Sequence, residues 1–299
     1  MPKRTPRIPW TLQRLVHERA LALSHALTPS TLAVYSTALT SYLDFCHIHH
    51  FPISPTPNTL SFFTVFMSFH IEPRSVDAYL TGICNELEPY FPDVRAIRKH
   101  PTVSKTLHGC KRLRSSAIRR KDALSPEDLS LAISASLPHA SFDDLLFLTQ
   151  LTTGFAALLR LSELCWPDTH ALRDYRKVTL RESVQTHPNH FSFLLPSQKT
   201  DSTFHGLQVL IVRNPNPYNP HPFFLSYLQQ RDLIHPYNPE LWLTFQGTIP
   251  TRSWFLKRLN SFFPTTISGH SMRSGGATAL VRATPTHTSA AYQELRMRL

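Results

Sequence analysis

The apolar positions of this chain change their period partway along it. In "TPSTLAVYSTALTSYLDFCHIHH" (28–50), Leu32, Tyr35, Leu39, Tyr42, Leu43 and Cys46 recur at helical spacing. They make one apolar face on a 3.6-residue period. Thr28 stands at the N-cap and Pro29 at the first helical position, where a missing N–H goes unnoticed. "PISPTPNT" then breaks the chain. "TLSFFTVFMSFH" (59–70) is apolar almost all round, the pattern of a buried helix, and "EPRSVDAYLTGICNELEPYF" (72–91) reads as a further helix. The basic segment after "FPDV" is expected to be partly helical. Residues 28–115 thus read as a small all-α domain, residues 1–27 as a flexible basic arm before it, and residues 116–124 as a basic linker.

Residues 125–299 read differently. "SPED" at Ser125 supplies an N-cap, a proline at the next position and acids in the first turn. Another helix is expected from Ser141, with "LLFLTQLTTGFAALLRLSELC" (145–165) as a core-like run interrupted by Arg160, and Glu163 three residues on. After "CWPD" the period drops to two: "RKVTLRE" (176–182), "HFSFLLP" (190–196) and "LQVLIV" (207–212) read as three strands. Lys199 lies in the connection between the last two. "RNPNPYNPHP" (213–222) reads as a loop; helical texture returns in 220–234, 251–263 and from His270 onward. The fold class is therefore mainly α: a helical N-terminal domain, then an α+β domain with mostly helices around one small antiparallel sheet. There is no internal repeat.

Charge sharpens this picture. The chain of 299 residues carries a net charge of +11 with 17 histidines aside. Arg95, Arg98, Lys99, Lys105, Lys111, Arg112, Arg114, Arg119, Arg120 and Lys121 fall in one stretch without an acid. Such a block is the electrostatic footprint of a polyanion, most simply nucleic acid, or else a solvated linker. No apolar run is long enough to span a bilayer, and "MPKRTPRIPW" has no apolar core of a secretory signal. Cys46, Cys84, Cys110 and Cys165 are widely spaced with no CxxC, which argues against a zinc site or disulfide framework and for a reducing compartment. The histidines are scattered, a compositional habit more than a set of converging metal ligands.

Four polar residues stand where apolar or neutral ones would be the default: Arg160 in its apolar run, Lys199 at the hairpin, and His270 and Arg273 in "SGHSMRSGGATAL" (268–280). His270 and Arg273, at i and i+3, share one helix face. Together the four would suit a phosphate. Guanidinium forks take its oxygens in pairs, a lysine offers a point charge or a proton, and a histidine can act as acid or base. Each is weak alone. An arginine in an apolar helix ordinarily snorkels or pairs, here with Glu163, and a lysine in a turn is ordinarily solvated.

Their order resembles the tyrosine recombinases, the phage-integrase-like DNA breaking-and-rejoining enzymes, in particular the fungal, mobile-element-derived type. The resemblance runs over roughly residues 28–283. In "TTGFAALLRLSELCWPD" the first catalytic arginine and the family's glutamate fall on Arg160 and Glu163. In "FLLPSQKTDSTFHGLQVLI" the hairpin lysine falls on Lys199, and in "GHSMRSGGATAL" the His-x-x-Arg box falls on His270 and Arg273. The resemblance implies a helical, SAM-like core-binding domain that closes on duplex DNA, followed by the family's catalytic domain. A tyrosine there would form a phosphotyrosyl link without metal, cofactor or small-molecule substrate. Arg160 and Arg273 would stabilise charge on the phosphate, Lys199 would protonate the leaving oxygen, His270 would assist proton transfer, and Glu163 would be structural.

The match ends after "ATPTHT". Tyr292, 19 residues past Arg273, is the last tyrosine and the candidate nucleophile, at a spacing shorter than the family pattern. The C-terminus is therefore expected to be truncated. Two functions stand beside each other: DNA integration and recombination by strand exchange, or a catalytically dead relic that binds duplex DNA. Assembly as a homo-oligomer on DNA and a nuclear location, away from membranes, complete the expectation.

Overall fold

The computed structural model describes residues 8–117, 120–137, 140–198 and 205–283. The chain divides into two compact units, residues 1–118 and 119–299.

In the first unit α1 spans Leu12–Ser24, α2 Pro29–Ile48, α3 Pro57–His70, α4 Pro73–Leu87, α5 Val94–Arg98 and α6 Pro101–Arg114. The local signals explain their starts. Thr28 and Thr56 accept from the backbone N–H three residues on, with Pro29 and Pro57 in the first turn. Tyr42, Phe45, Leu60, Phe63, Val76, Leu80, Ile83 and Val103 make the core, where α2 packs on α4 and α3 on α6. Gly82 marks the closest approach of α2 and α4: a Cβ there would lie 3.0 Å from the Tyr35 backbone.

Residues 12–24, expected as part of a flexible basic arm, form a helix capped by Thr11, none of whose residues is buried. Its leucines recur at helical spacing, and the prolines that break the segment end at Pro9.

In the second unit α7 spans Pro126–Ser136 and α8 Phe142–Ala156, each opened by a capping box, Ser125 with Asp128 and Ser141 with Asp144. Helix α8 is the centre of the unit, buried from Leu145 to Phe155 on every face. Strands β1 (Gln185–His187), β2 (His190–Leu195) and β3 (Leu207–Val212) form an antiparallel sheet in that order. Phe191 pairs with Ile211 and Phe193 with Val209. These four face α9 (Pro220–Ile234), and the Phe191 and Phe224 rings stack at 3.8 Å. Helices α10 (Arg252–Phe262) and α11 (Gly269–Ala283) complete the unit. The fold is thus mainly helical with one small antiparallel sheet, as the periodicity implied.

Two details differ from the sequence reading. The segment 176–182 is not a strand; it forms two short 3-10 turns, and the first strand begins at Gln185. Its backbone pairs elsewhere: the Arg181 N–H donates to the Pro239 carbonyl and the Leu241 N–H to that of Thr179. The Arg181 guanidinium also forks onto Asp232. The alternation was real, but an isolated bridge to 239–241 satisfies it. The second difference is that the run 145–165 is not one helix. Helix α8 stops at Ala156, so Arg160 lies beyond it.

Candidate functional site

The end of α8 places the first arginine. Leu158 adopts φ +55°, in the left-handed region, and the Leu159 N–H closes the helix by donating to the Gly154 carbonyl at 2.9 Å. That six-to-one bond is the usual helix-stopping motif, normally built on glycine. Arg160 follows in extended conformation as the cap of a 3-10 turn, Leu161–Glu163. Glu163 clasps it twice: one carboxylate oxygen accepts the Arg160 backbone N–H at 2.7 Å, the other its Nη1 at 3.2 Å. The glutamate side chain is 8% exposed and that of the arginine 29%. The carboxylate therefore holds the residue from behind while the guanidinium reaches solvent.

Helix α11 brings the second arginine. Arg273 is buried, and its Nη1 donates to the Leu158 carbonyl at 2.8 Å. Burial lowers its pKa, and the neighbouring Arg160 cation lowers it further, against the opposing pull of Glu163. An arginine stays charged through such a shift. Arg160 on Glu163 and Arg273 on the Leu158 carbonyl thus set two cations at the end of α8, an arrangement that favours an incoming anion.

The close fit of α11 depends on small residues. A Cβ on Gly275 would lie 2.8 Å from the Leu124 carbonyl carbon, and one on Gly276 would lie 3.0 Å from that of Phe155. Gly269 abuts Leu161, the residue after Arg160. His270 stands exposed in the first turn of α11. So Arg160, Glu163, Arg273 and the helix start that carries His270 come together. The shared face expected of His270 and Arg273 has depth: the arginine is inside and the imidazole outside. Lys199 and Tyr292 lie outside the described residues, as does Arg119.

The basic stretch is partly engaged. Arg95 pairs with Glu88 at 2.7 Å. Arg98 and Lys111 both pair with Asp77, at 2.7 and 2.9 Å, and together they hold its carboxyl below the usual range, Lys111 foremost. The Arg114 guanidinium covers the Phe69 ring at 3.5 Å. Lys121 donates to the Thr265 carbonyl, just ahead of α11. Lys99, Lys105, Arg112 and Arg120 are exposed. Sequence reasoning missed Asp77, which orders two of these cations from 21 and 34 residues away. It also missed Leu158, since nothing in "ALLR" announces a left-handed leucine.

Among the described residues no three His, Cys, Asp or Glu side chains are grouped to hold a metal ion, and no helix is long and apolar enough to cross a membrane. All four cysteines are buried and free.

No family model matches the sequence, and no curated protein matches it. Solved structures do. A lambda integrase dimer bound to a COC′ core site is 11% identical with a TM-score of 0.56, over 95% of this chain and 94% of that one. The Tn1549 transposon integrase in complex with transposon right end DNA is 16% identical with a TM-score of 0.50, over 89% and 90%. The XerH site-specific recombinase, in a pre-cleavage complex with its difH substrate, is 12% identical with a TM-score of 0.51 over 81% of this chain. The match spans 63% of that recombinase's length. At these identities the likeness is one of fold: the chain has the fold of the integrases and site-specific recombinases.

Proposed function

We propose that this protein binds duplex DNA through its sugar–phosphate backbone as a member of the tyrosine recombinases. Arg160 and Arg273 would grip one phosphate. The observation that carries the reading is the pair of guanidiniums at the end of α8, one clasped by Glu163 and reaching solvent, the other fixed on the Leu158 carbonyl. In a strand-transfer reaction the two arginines would meet the charge that builds on the non-bridging oxygens, in a site already organised to receive it. His270, exposed one turn before Arg273, would move a proton at the same phosphate. Lys199 takes the role of proton donor to the leaving oxygen by resemblance. The exposed cations Lys99, Lys105, Arg112 and Arg120 would neutralise phosphates of the duplex without reading its sequence. The integrase neighbour is a dimer on its DNA, and this chain would likewise act as more than one copy.

A nicked suicide duplex tests both parts. A covalent protein–DNA adduct, lost in a Tyr292→Phe variant, marks a strand-exchange enzyme with Tyr292 as nucleophile. Salt-sensitive duplex binding with no adduct marks the second reading, a protein that grips DNA without cutting it. Affinity for duplex DNA unchanged by Arg160→Ala and Arg273→Ala, or no preference for duplex DNA over RNA, would refute the site.

A further inference from the structure

The turn that ends α8 is built on a residue ill suited to it. Leu158 sits at φ +55°, where a Cβ crowds the following carbonyl and which glycine, asparagine and aspartate alone visit freely. Leucine is there nonetheless, and it is buried. A residue kept in such a conformation is over-determined by its surroundings, a state that concentrates at functional sites.

Here the surroundings are one face of α11. Arg273 donates its Nη1 to the Leu158 carbonyl at 2.8 Å. Gly276, three residues on and on the same face, leaves room for the Leu158 side chain: a Cβ at 276 would lie 2.8 Å from Leu158 Cδ2. The helix therefore holds residue 158 at both ends, carbonyl and side chain. Two residues later the chain delivers Arg160, already extended and clasped by Glu163.

We infer that Leu158 is the positioning residue of the phosphate grip: its left-handed backbone turns a carbonyl onto the Arg273 guanidinium, and the same turn sets Arg160 beside it. The inference rests on the reading of Arg160 and Arg273 as that grip. The leucine side chain locks the turn from one side and the arginine from the other. The left-handed backbone, more than the leucine volume, keeps the two guanidiniums convergent.

The test compares substitutions that remove the same side chain but differ in backbone cost. Leu158→Gly enters the left-handed region freely and Leu158→Asn nearly so, whereas Leu158→Ala carries the penalty without the anchoring side chain. The full chain, labelled with 15N-arginine, is titrated with inorganic phosphate while the Nε–H resonances of Arg160 and Arg273 are followed. Both resonances should shift on one isotherm. L158G and L158N should bind within about twofold of the starting protein, and L158A about fivefold or more weakly. In an Arg273→Lys background the difference between glycine and alanine should shrink, because a lysine cannot reproduce the planar contact with the carbonyl, and what remains should be read at the Arg160 resonance, which the same turn sets. If phosphate moves neither arginine in the starting protein, the grip itself is refuted. If phosphate moves both but L158A and L158G bind equally, or their difference is undiminished by Arg273→Lys, the grip stands and the positioning role is overturned.

Discussion

Gly276→Ala offers the most direct test of how α11 is seated, because two effects of opposite sign act at one atom. Alanine is the better helix former by about 1 kcal/mol, so on helix propensity alone the substitution stabilises. Yet the added Cβ would meet Leu158 Cδ2 at 2.8 Å and the Phe155 carbonyl carbon at 3.0 Å, with the carbonyl oxygen nearer still. Carbon–carbon contacts normally rest at about 3.5–4.0 Å, so α11 has to withdraw from α8 by on the order of 0.5–1 Å. The obstacle is backbone, which cannot rotate aside as a side chain can. The cost belongs at the upper end of the overpacking range, about 3 kcal/mol. Subtracting the propensity gain leaves about 2 kcal/mol of net destabilisation. For a unit of this size that lowers Tm by about 4–8 °C. Thermal unfolding followed by tryptophan fluorescence reads it cleanly, since Trp166, Trp242 and Trp254 all belong to the second unit. Gly109→Ala is the control: it lies within α6, and a Cβ there would meet nothing within 4 Å. That change should stabilise the first unit by about 0.5–1 kcal/mol, read by far-ultraviolet circular dichroism. A Gly276→Ala protein that melts at or above the parent temperature would refute the close-approach argument.

Three other outcomes follow from the same structure. Arg231→Leu should cost about 3 kcal/mol or more in urea denaturation, because the buried guanidinium donates to the carbonyls of His235, Asn238 and Glu240 and the change orphans them; a loss under 1 kcal/mol would contradict it. Asp77 has its folded pKa depressed, by Lys111 first, so its contribution to stability is present above the ordinary carboxylate value of about 3.9 and is lost as pH falls through the folded value. Asp77→Asn should accordingly flatten the acid limb of the first unit's stability curve below about pH 4, by about 0.5–1 kcal/mol once solvent screening of this half-exposed pair is allowed for; an unchanged acid limb would remove Asp77 from the account. Lys105→Ala and Arg112→Ala should each reduce the slope of log affinity for duplex DNA against log salt by about 0.9, and an unaltered slope would take those residues off the interface.

The local signals were legible because each acts within a few residues. Thr28, Ser125 and Ser141 cap their helices through bonds to the N–H three positions on, and the alternation in 190–195 and 207–212 reads directly as paired strands. Where a pattern has two possible partners, reading along the chain fails. Residues 176–182 alternate like a strand but take their hydrogen bonds from 239–241, a choice made by proximity in space.

The same division runs through the candidate site. The sequence alone determined that the chain is basic, mainly helical with a small sheet, and that Arg160, Lys199, His270 and Arg273 are unusual for their surroundings. Only the tertiary structure decided that Arg160 lies past the end of α8, that Arg273 is buried on the Leu158 carbonyl while His270 stays in solvent, and that Asp77 gathers Arg98 and Lys111. A guanidinium's partner is whichever oxygen the packing of α11 on α8 brings within 3 Å, and that packing is set by Gly276 meeting backbone more than a hundred residues away. Such contacts leave no period and no motif in the chain, because their geometry exists only once both helices are in place.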